Sequence, residues 1–358
     1  MDTNKIIELS KKAIAIQSTT THSSSLEEIL ELFLRQFKNN PSVKVQQFCN
    51  EGKPCATIQS KLMEPKIWLN AHLDVVPGNK NLFAPKLQNA KLFGRGALDM
   101  KTEAVCFTLL TNKLIASGCN MGLMLVTDEE VGGHDGTKFL LDQKIVKPEF
   151  VIVGEPSDLE VGTESKGIIS IDIVSHGISA HGSKPWLGKN AILAVLKPIQ
   201  ELQRKFPIPI KDSWKTTINI GIFHGGAAVN QVPNVCSIKL DVRFIPSDNP
   251  QMIIKEIKSI FKHQEVLIKM IEPPIFSDKA NPFILNFFGV VKEVLKVKPI
   301  FRKGHESSDI RFFTQKHIPA VTFGLKGEGL HAEHEWVSIK EIGAYITILE
   351  KFLIKNCI

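Results

Sequence analysis

The chain has 358 residues, 43% hydrophobic and 23% charged, a length that exceeds one compact core and predicts about two domains. No apolar run reaches the roughly 18 to 20 residues of a membrane span, and the polar start MDTNKIIELSKKAIAIQS lacks the apolar block of a secretory signal, so a cytoplasmic protein is expected. The net charge is +7, but Lys and Arg are spread along the chain and only one Tyr and four Trp are present for stacking, which argues against nucleic acid as a partner.

A first helix is predicted from about Asn4 to Ile16. A second opens at Ser25, where Glu28 three residues on completes a capping box. Short apolar runs then alternate with helical patterns, the signature of an α/β sheet. Four runs stand out. Ile67–Ala71 leads into His72-Leu73-Asp74, Leu123–Val126 into Thr127-Asp128-Glu129-Glu130, and Phe150–Val153 into Gly154-Glu155-Pro156. Ala320–Phe323 leads into a Gly-rich loop and His331. Each places polar residues after the C-terminal end of a buried strand, where open parallel sheets keep their ligand crevice.

The stretch from Gly167 to Pro274 has a different pattern. Ile169, Ile171 and Ile173 alternate with polar residues, Asn190–Lys205 is amphipathic, and Thr217–Ile222 and Val235–Phe244 alternate again. A helix opened by Pro250 and a strand Glu265–Ile271 complete the order β-α-β-β-α-β. A second domain at 167–275, inserted into a first formed by 1–166 and 276–358, is expected. Helices at Phe283–Leu295, from Ser307, and after a capping Ser338-Ile339-Lys340-Glu341 end the chain. The cysteines Cys49, Cys55, Cys106, Cys119, Cys236 and Cys357 form no CxxC pair and are expected reduced and mostly buried.

His72, Asp99, Glu130, Glu155 and His331 together offer two imidazoles and three carboxylates, with Glu129 to spare. Singly, each has an ordinary alternative: a structural His, an Asp in the Gly94–Lys101 turn, acids in a solvated loop. As a set they offer mixed N/O ligation suited to zinc, and to cobalt or manganese. Asp74, two residues from His72 on a strand end, can orient its second ring nitrogen. His334 competes with His331.

The strings His72-Leu-Asp-Val-Val-Pro, Gly94-Arg-Gly-Ala-Leu-Asp-Met-Lys, Thr127-Asp-Glu-Glu-Val-Gly-Gly, Gly154-Glu-Pro-Ser and His331-x-x-x-Glu335 resemble the M20 metallopeptidase family, in the family's order and over nearly the whole chain. This group includes acetylornithine deacetylase and succinyl-diaminopimelate desuccinylase. The resemblance implies a zinc-peptidase-like α/β catalytic domain with a mixed, mostly parallel sheet and an inserted ferredoxin-like lid and dimerisation domain. It implies two divalent ions per chain, one on His72 and Glu155 and one on Glu130 and His331, bridged by Asp99. It makes Glu129 the general base, and it implies a non-proline cis peptide after Asp99. The three-residue gap to Glu335 selects His331 over His334.

By the same resemblance, Ser179-Ala180-His181-Gly182 carries a lid histidine that stabilises the oxyanion, from the partner subunit in dimeric members. Asn230, Arg243, Ser308 and Arg311 are implied substrate contacts, and Lys166 is a further basic candidate. The arginines can grip carboxylates. Thr102 and His305-Glu306 depart from the family's usual glycines. The expected activity is hydrolysis of an N-acyl amino acid of the N-acetylornithine or N-succinyl-diaminopimelate type by a homodimer. The alternative is a dipeptidase or carboxypeptidase on the same scaffold.

Overall fold

The structure, a computed structural model, describes residues 2–357. The chain divides into two compact units, Met1–Thr163 with Ser277–Arg302 and Ser308–Ile358, and Glu164–Phe276 with Lys303–Ser307. Among the described residues no helix is long and apolar enough to cross a membrane. All six cysteines are free, with only Cys49 exposed.

In the first unit the main sheet runs in the order Val43–Asn50, Lys53–Ser60, Met121–Val126, Ile67–His72, Phe150–Val153, Ala320–Thr322 and Val161–Ser165. Only Met121–Val126, Ile67–His72, Phe150–Val153 and Ala320–Thr322 are mutually parallel, and the pairings on either side are antiparallel. The expected "mostly parallel" sheet is therefore corrected to a parallel centre with antiparallel flanks. For the outermost pair the reason is local: the first two strands are joined by Glu51 and Gly52, both at left-handed φ, a tight turn that returns the chain antiparallel. The strands Ile67–His72, Met121–Val126 and Phe150–Val153 are buried throughout, because helices shield both faces of the centre. Phe150 stacks on Phe283 of the helix Pro282–Leu295, and Phe287 meets Phe352 of the helix Ile342–Asn356 edge to face.

Two expected caps are corrected. The second helix begins at Ser23 after His22, with no capping box at Ser25, since His22 Nδ1 and Thr19 Oγ1 (2.8 Å apart) already close the turn before it. The last helix begins at Ile342 with no side-chain cap, because Ser338 is instead the last residue of the strand Trp336–Ser338.

A small second sheet in the first unit has the order Gly327–Glu328, Trp336–Ser338, Lys91–Phe93, Lys86–Gln88. It ties the loop carrying His331 to the chain just before the Gly94–Asp99 turn, with Trp336 opposite Phe93.

The second unit is a four-stranded antiparallel sheet in the order Thr217–Gly225, Val235–Phe244, Gly167–His176, Glu265–Glu272. With the helices Leu193–Lys205 and Pro250–Ile260 this is the ferredoxin-like βαββαβ arrangement. Ile169, Ile171 and Ile173 alternate into its core with Ile238, Leu240 and Val242 of the neighbouring strand. Asn249 caps the second helix by accepting from the N–H groups of Gln251 and Met252, and Pro250 takes the first helical position.

Candidate active site

His72 is the last residue of a buried parallel strand and is 2% exposed. Its Nε2 lies 3.0 Å from Asp99 Oδ1 and 4.0 Å from Glu155 Oε1. Its Nδ1 lies 3.1 Å from the backbone carbonyl of Asp74 and 3.5 Å from the Asp74 carboxylate. Asp74 thus faces the second ring nitrogen of His72 with both its backbone carbonyl, the nearer acceptor, and its carboxylate. That carboxylate also accepts from the N–H groups of Glu129 and Glu130, at 3.2 and 2.9 Å, and so clamps the turn that carries both glutamates.

Asp99 leaves an irregular turn in which Gly96 sits at φ +80°, where a Cβ would meet Val75 and Lys101. The Asp99–Met100 peptide bond is cis. Asp99 Oδ2 lies 3.2 Å from His331 Nε2, which lies 3.3 Å from Glu130 Oε2. Two groups result, His72–Asp99–Glu155 and Asp99–Glu130–His331. Within each, one ligand atom per residue lies within 4.8 Å of the others, so each could hold a metal ion, and Asp99 belongs to both. His334 belongs to neither.

The electrostatics follow from this crowding of acids. Burial works against the charge of His72, but the carboxylates of Asp74 and Asp99 outweigh it and carry its pKa well above the usual range. Contacts with Asp99 and Glu130 push His331 up to about 10. Burial opposes the charge of Asp99, yet the two imidazoles hold it well below the usual carboxylate range. Burial, then the charge of Asp99, pushes Glu155 up to about 8. Burial, then Glu155, carries Glu129 well above the usual range. Protonated imidazoles balance carboxylates where cations would serve.

Several supporting residues drew no role from the sequence. Glu335 and Arg95 form a buried ion pair at 2.7 Å behind Asp99. Lys101 is fully buried, donates to the Ala13 and Ile16 carbonyls, and is pushed down by burial to about 7. Asp128 accepts from the N–H groups of Asp135 and Gly136 at 2.7 and 3.0 Å. Asp309 accepts from the Thr137 hydroxyl at 2.5 Å. Together they fix the loop after Glu130. Gly133 has no room for a side chain there, since a Cβ would lie 1.9 Å from Asp309 Oδ1.

The expected substrate contacts divide. Ser308 and Arg311 are buried, at 7% and 3% exposure, and Arg311 Nη2 donates to the Gly132 carbonyl at 2.6 Å. Through this bond Arg311 braces the glutamate-bearing loop. His181, Asn230 and Arg243 lie in the second unit. His181 is exposed, and its Nδ1 accepts from the Ser183 N–H at 3.1 Å and lies 2.7 Å from the Ser183 hydroxyl. Asn230 is exposed and its carbonyl accepts from the Gly182 N–H at 2.7 Å. Arg243 Nε donates to the Asp241 carboxylate at 2.9 and 3.1 Å. Lys166 is buried, with Nζ 3.5 Å from the Ser213 carbonyl.

A mixed sheet with two acid–imidazole clusters at its strand ends, joined to a ferredoxin-like unit, defines the class of the dinuclear-type hydrolases. The chain belongs to peptidase family M20/M25/M40, whose sequence profile matches residues 68–355, and it is a hydrolase of that family. It is 28% identical over 379 residues to the succinyl-diaminopimelate desuccinylase of Rickettsia felis, covering 96% of this chain and 98% of that one. Two solved structures share the fold: aminopeptidase PepT from Bacillus cereus (TM-score 0.80, 18% identity, 99% and 98% covered) and the M20 metallo-carboxypeptidase Sso-CP2 from Sulfolobus solfataricus (TM-score 0.80, 18% identity, 99% of both chains covered).

Proposed function

We propose that this hydrolase cleaves the amide bond of an N-acyl amino acid, of the N-succinyl-diaminopimelate or N-acetylornithine type. The observation that carries the reading is the pair of clusters sharing Asp99, with Glu129 beside them. The full-length likeness to a desuccinylase supports the acyl substrate.

His72, Asp99 and Glu155 would hold one divalent ion, and Asp99, Glu130 and His331 the other. The donors suit zinc, with cobalt or manganese as alternatives. The fit is supported by Glu155 Oε1, which is buried without a hydrogen-bond partner, and by the mutual repulsion of the clustered acids. When bound, such ions activate water and polarise a carbonyl.

The protein's own groups supply the rest. The Glu129 carboxylate takes a proton from the attacking water and hands it to the nitrogen of the leaving amine. Asp74 aims Glu129 and Glu130 through their backbone N–H groups. The Ser183 N–H donated to His181 Nδ1 places the ring proton on Nε2, and that N–H is suited to stabilise the oxyanion. Asn230 and Arg243 would bind a substrate carboxylate, Arg243 through its terminal nitrogens because Asp241 engages Nε. We assign residues 167–275 the part of lid and dimerisation domain. This is supported by the open edge strand Thr217–Gly225 and by the exposed Trp186, Leu187 and Val229 on the loops around His181.

The test is a substrate panel of N-succinyl and N-acetyl amino acids and Xaa dipeptides, assayed with zinc and with cobalt. Preferential turnover of the N-acyl amino acids is expected. Turnover confined to dipeptides would reassign the chain as a dipeptidase or carboxypeptidase.

A further inference from the structure

Arg95 and Glu335 are 3% and 1% exposed. Arg95 Nη1 donates to Glu335 Oε2 at 2.7 Å, and Arg95 Nη2 donates to the His331 carbonyl at 3.0 Å. Glu335 Oε1 accepts from the N–H groups of Leu98 and Asp99 at 3.0 and 3.3 Å. The Gly94 N–H closes the arrangement on the Glu335 carbonyl at 3.1 Å. One ion pair therefore grips the backbone of Asp99 with one member and the backbone of His331 with the other.

The other cluster members have independent supports. His72 sits in a strand paired with Met121–Val126, and its ring meets the Asp74 carbonyl. Glu130 is held by the Asp74 carboxylate. Glu155 follows directly on the Phe150–Val153 strand. His331 has no such frame. It sits at φ +59° with its side chain 49% exposed, in a loop between a two-residue and a three-residue strand. Arg95 supplies a side-chain tether to the His331 backbone carbonyl.

Stability alone gives a weak reason for the pair. Taking two charges out of water costs about what their attraction returns, and Arg95 Nε is left buried without an acceptor. The arrangement is understandable if it serves geometry.

We propose that the Arg95–Glu335 pair is a positioning device for the Asp99–Glu130–His331 cluster, setting its affinity for a divalent ion selectively over that of the His72–Asp99–Glu155 cluster. The inference rests on the two-ion reading above. Loss of the pair loosens two of three ligands in the first of these clusters, but only the shared Asp99 in the second.

The experiment is titration of the metal-free protein with cobalt(II), followed by calorimetry and visible absorption, with His331→Ala and Glu155→Ala identifying the two binding steps. Wild type is expected to show two steps. In the double variant Arg95→Met/Glu335→Gln no charge is left buried alone, and Gln can still accept from the Asp99 N–H. There the step that His331→Ala removes should weaken about 10- to 100-fold while the other moves less than about threefold, the range seen when partners of metal ligands are removed. Arg95→Lys, which keeps an ion pair but lacks the second arm to the His331 carbonyl, should show the same selectivity more mildly. It also serves as the test if the double variant fails to fold by circular dichroism. Equal weakening of both steps, or of neither, in a folded variant overturns the proposal. Fewer than two steps in wild type overturns the two-ion reading and the proposal with it.

Discussion

The two regions that carry the candidate chemistry are built differently. In the first unit His72, Asp99, Glu130 and Glu155 follow strand ends or a glycine turn, and each is at most 15% exposed at its side chain. In the second unit His181 and Asn230 sit on exposed loops that are bonded chiefly to each other and within themselves. On the proposed function, the contrast separates residues around the clusters, positioned by the fold, from the lid residues, which would be brought into place only when substrate is gripped. Damage to the first region should therefore show in the resting protein, and damage to the second only during turnover.

The largest expected effect comes from Glu129→Gln. Removing a general base lowers turnover by about 10²- to 10⁴-fold, and metal content should stay as in wild type because Glu129 is in neither cluster. Unchanged turnover with full metal content breaks the base assignment. His181→Ala comes next. Loss of one oxyanion donor lowers kcat by about 10²- to 10³-fold, with no change in metal content or in the thermal midpoint of the resting protein. A lowered midpoint would place His181 with the rigid region and erase the contrast.

The smallest effect is a pH trend. His331 is raised to about 10 from an ordinary 6.5, so its stabilising charge is complete below about 6.5 and lost as pH rises toward about 10. Glu155 is raised to about 8 from an ordinary 4.5, so its ionisation penalty accumulates between those values. Both make the metal-free protein less stable as pH rises. Lys101, depressed to about 7, acts in the opposite direction above that pH, but it is in neither cluster and cancels between the two forms. The gap between the thermal midpoints of metal-loaded and metal-free protein should therefore widen from about pH 6.5 to 9. A gap independent of pH would mean that protons and metal do not compete for these groups.

The same contrast explains how much was legible from sequence. Apolar runs of buried strands are visible, and the polar residues after them point to one rim, which is how His72, Glu130 and Glu155 draw attention. The alternation of Ile169, Ile171 and Ile173 shows the ferredoxin-like sheet equally well. The supports are hidden because they are long-range. Arg95 and Glu335 lie 240 residues apart, and Asp128 and Asp309 look like ordinary loop acids until folding buries both. Arg311 looks like a free fork for the same reason, and only the fold delivers the Gly132 carbonyl to it. Ser25 and Ser338 mislead as caps because Ser-x-x-Glu is short and common, whereas the true helix starts depend on the turn at His22 and on the strand Trp336–Ser338.

The central claim is that two ion sites share Asp99, and metal stoichiometry tests it most directly. Elemental analysis of purified protein equilibrated with zinc should give two ions per chain, one each in His72→Ala and His331→Ala, and fewer than one in Asp99→Ala. Fewer than one ion per chain in wild type, or a full pair retained in Asp99→Ala, would contradict it.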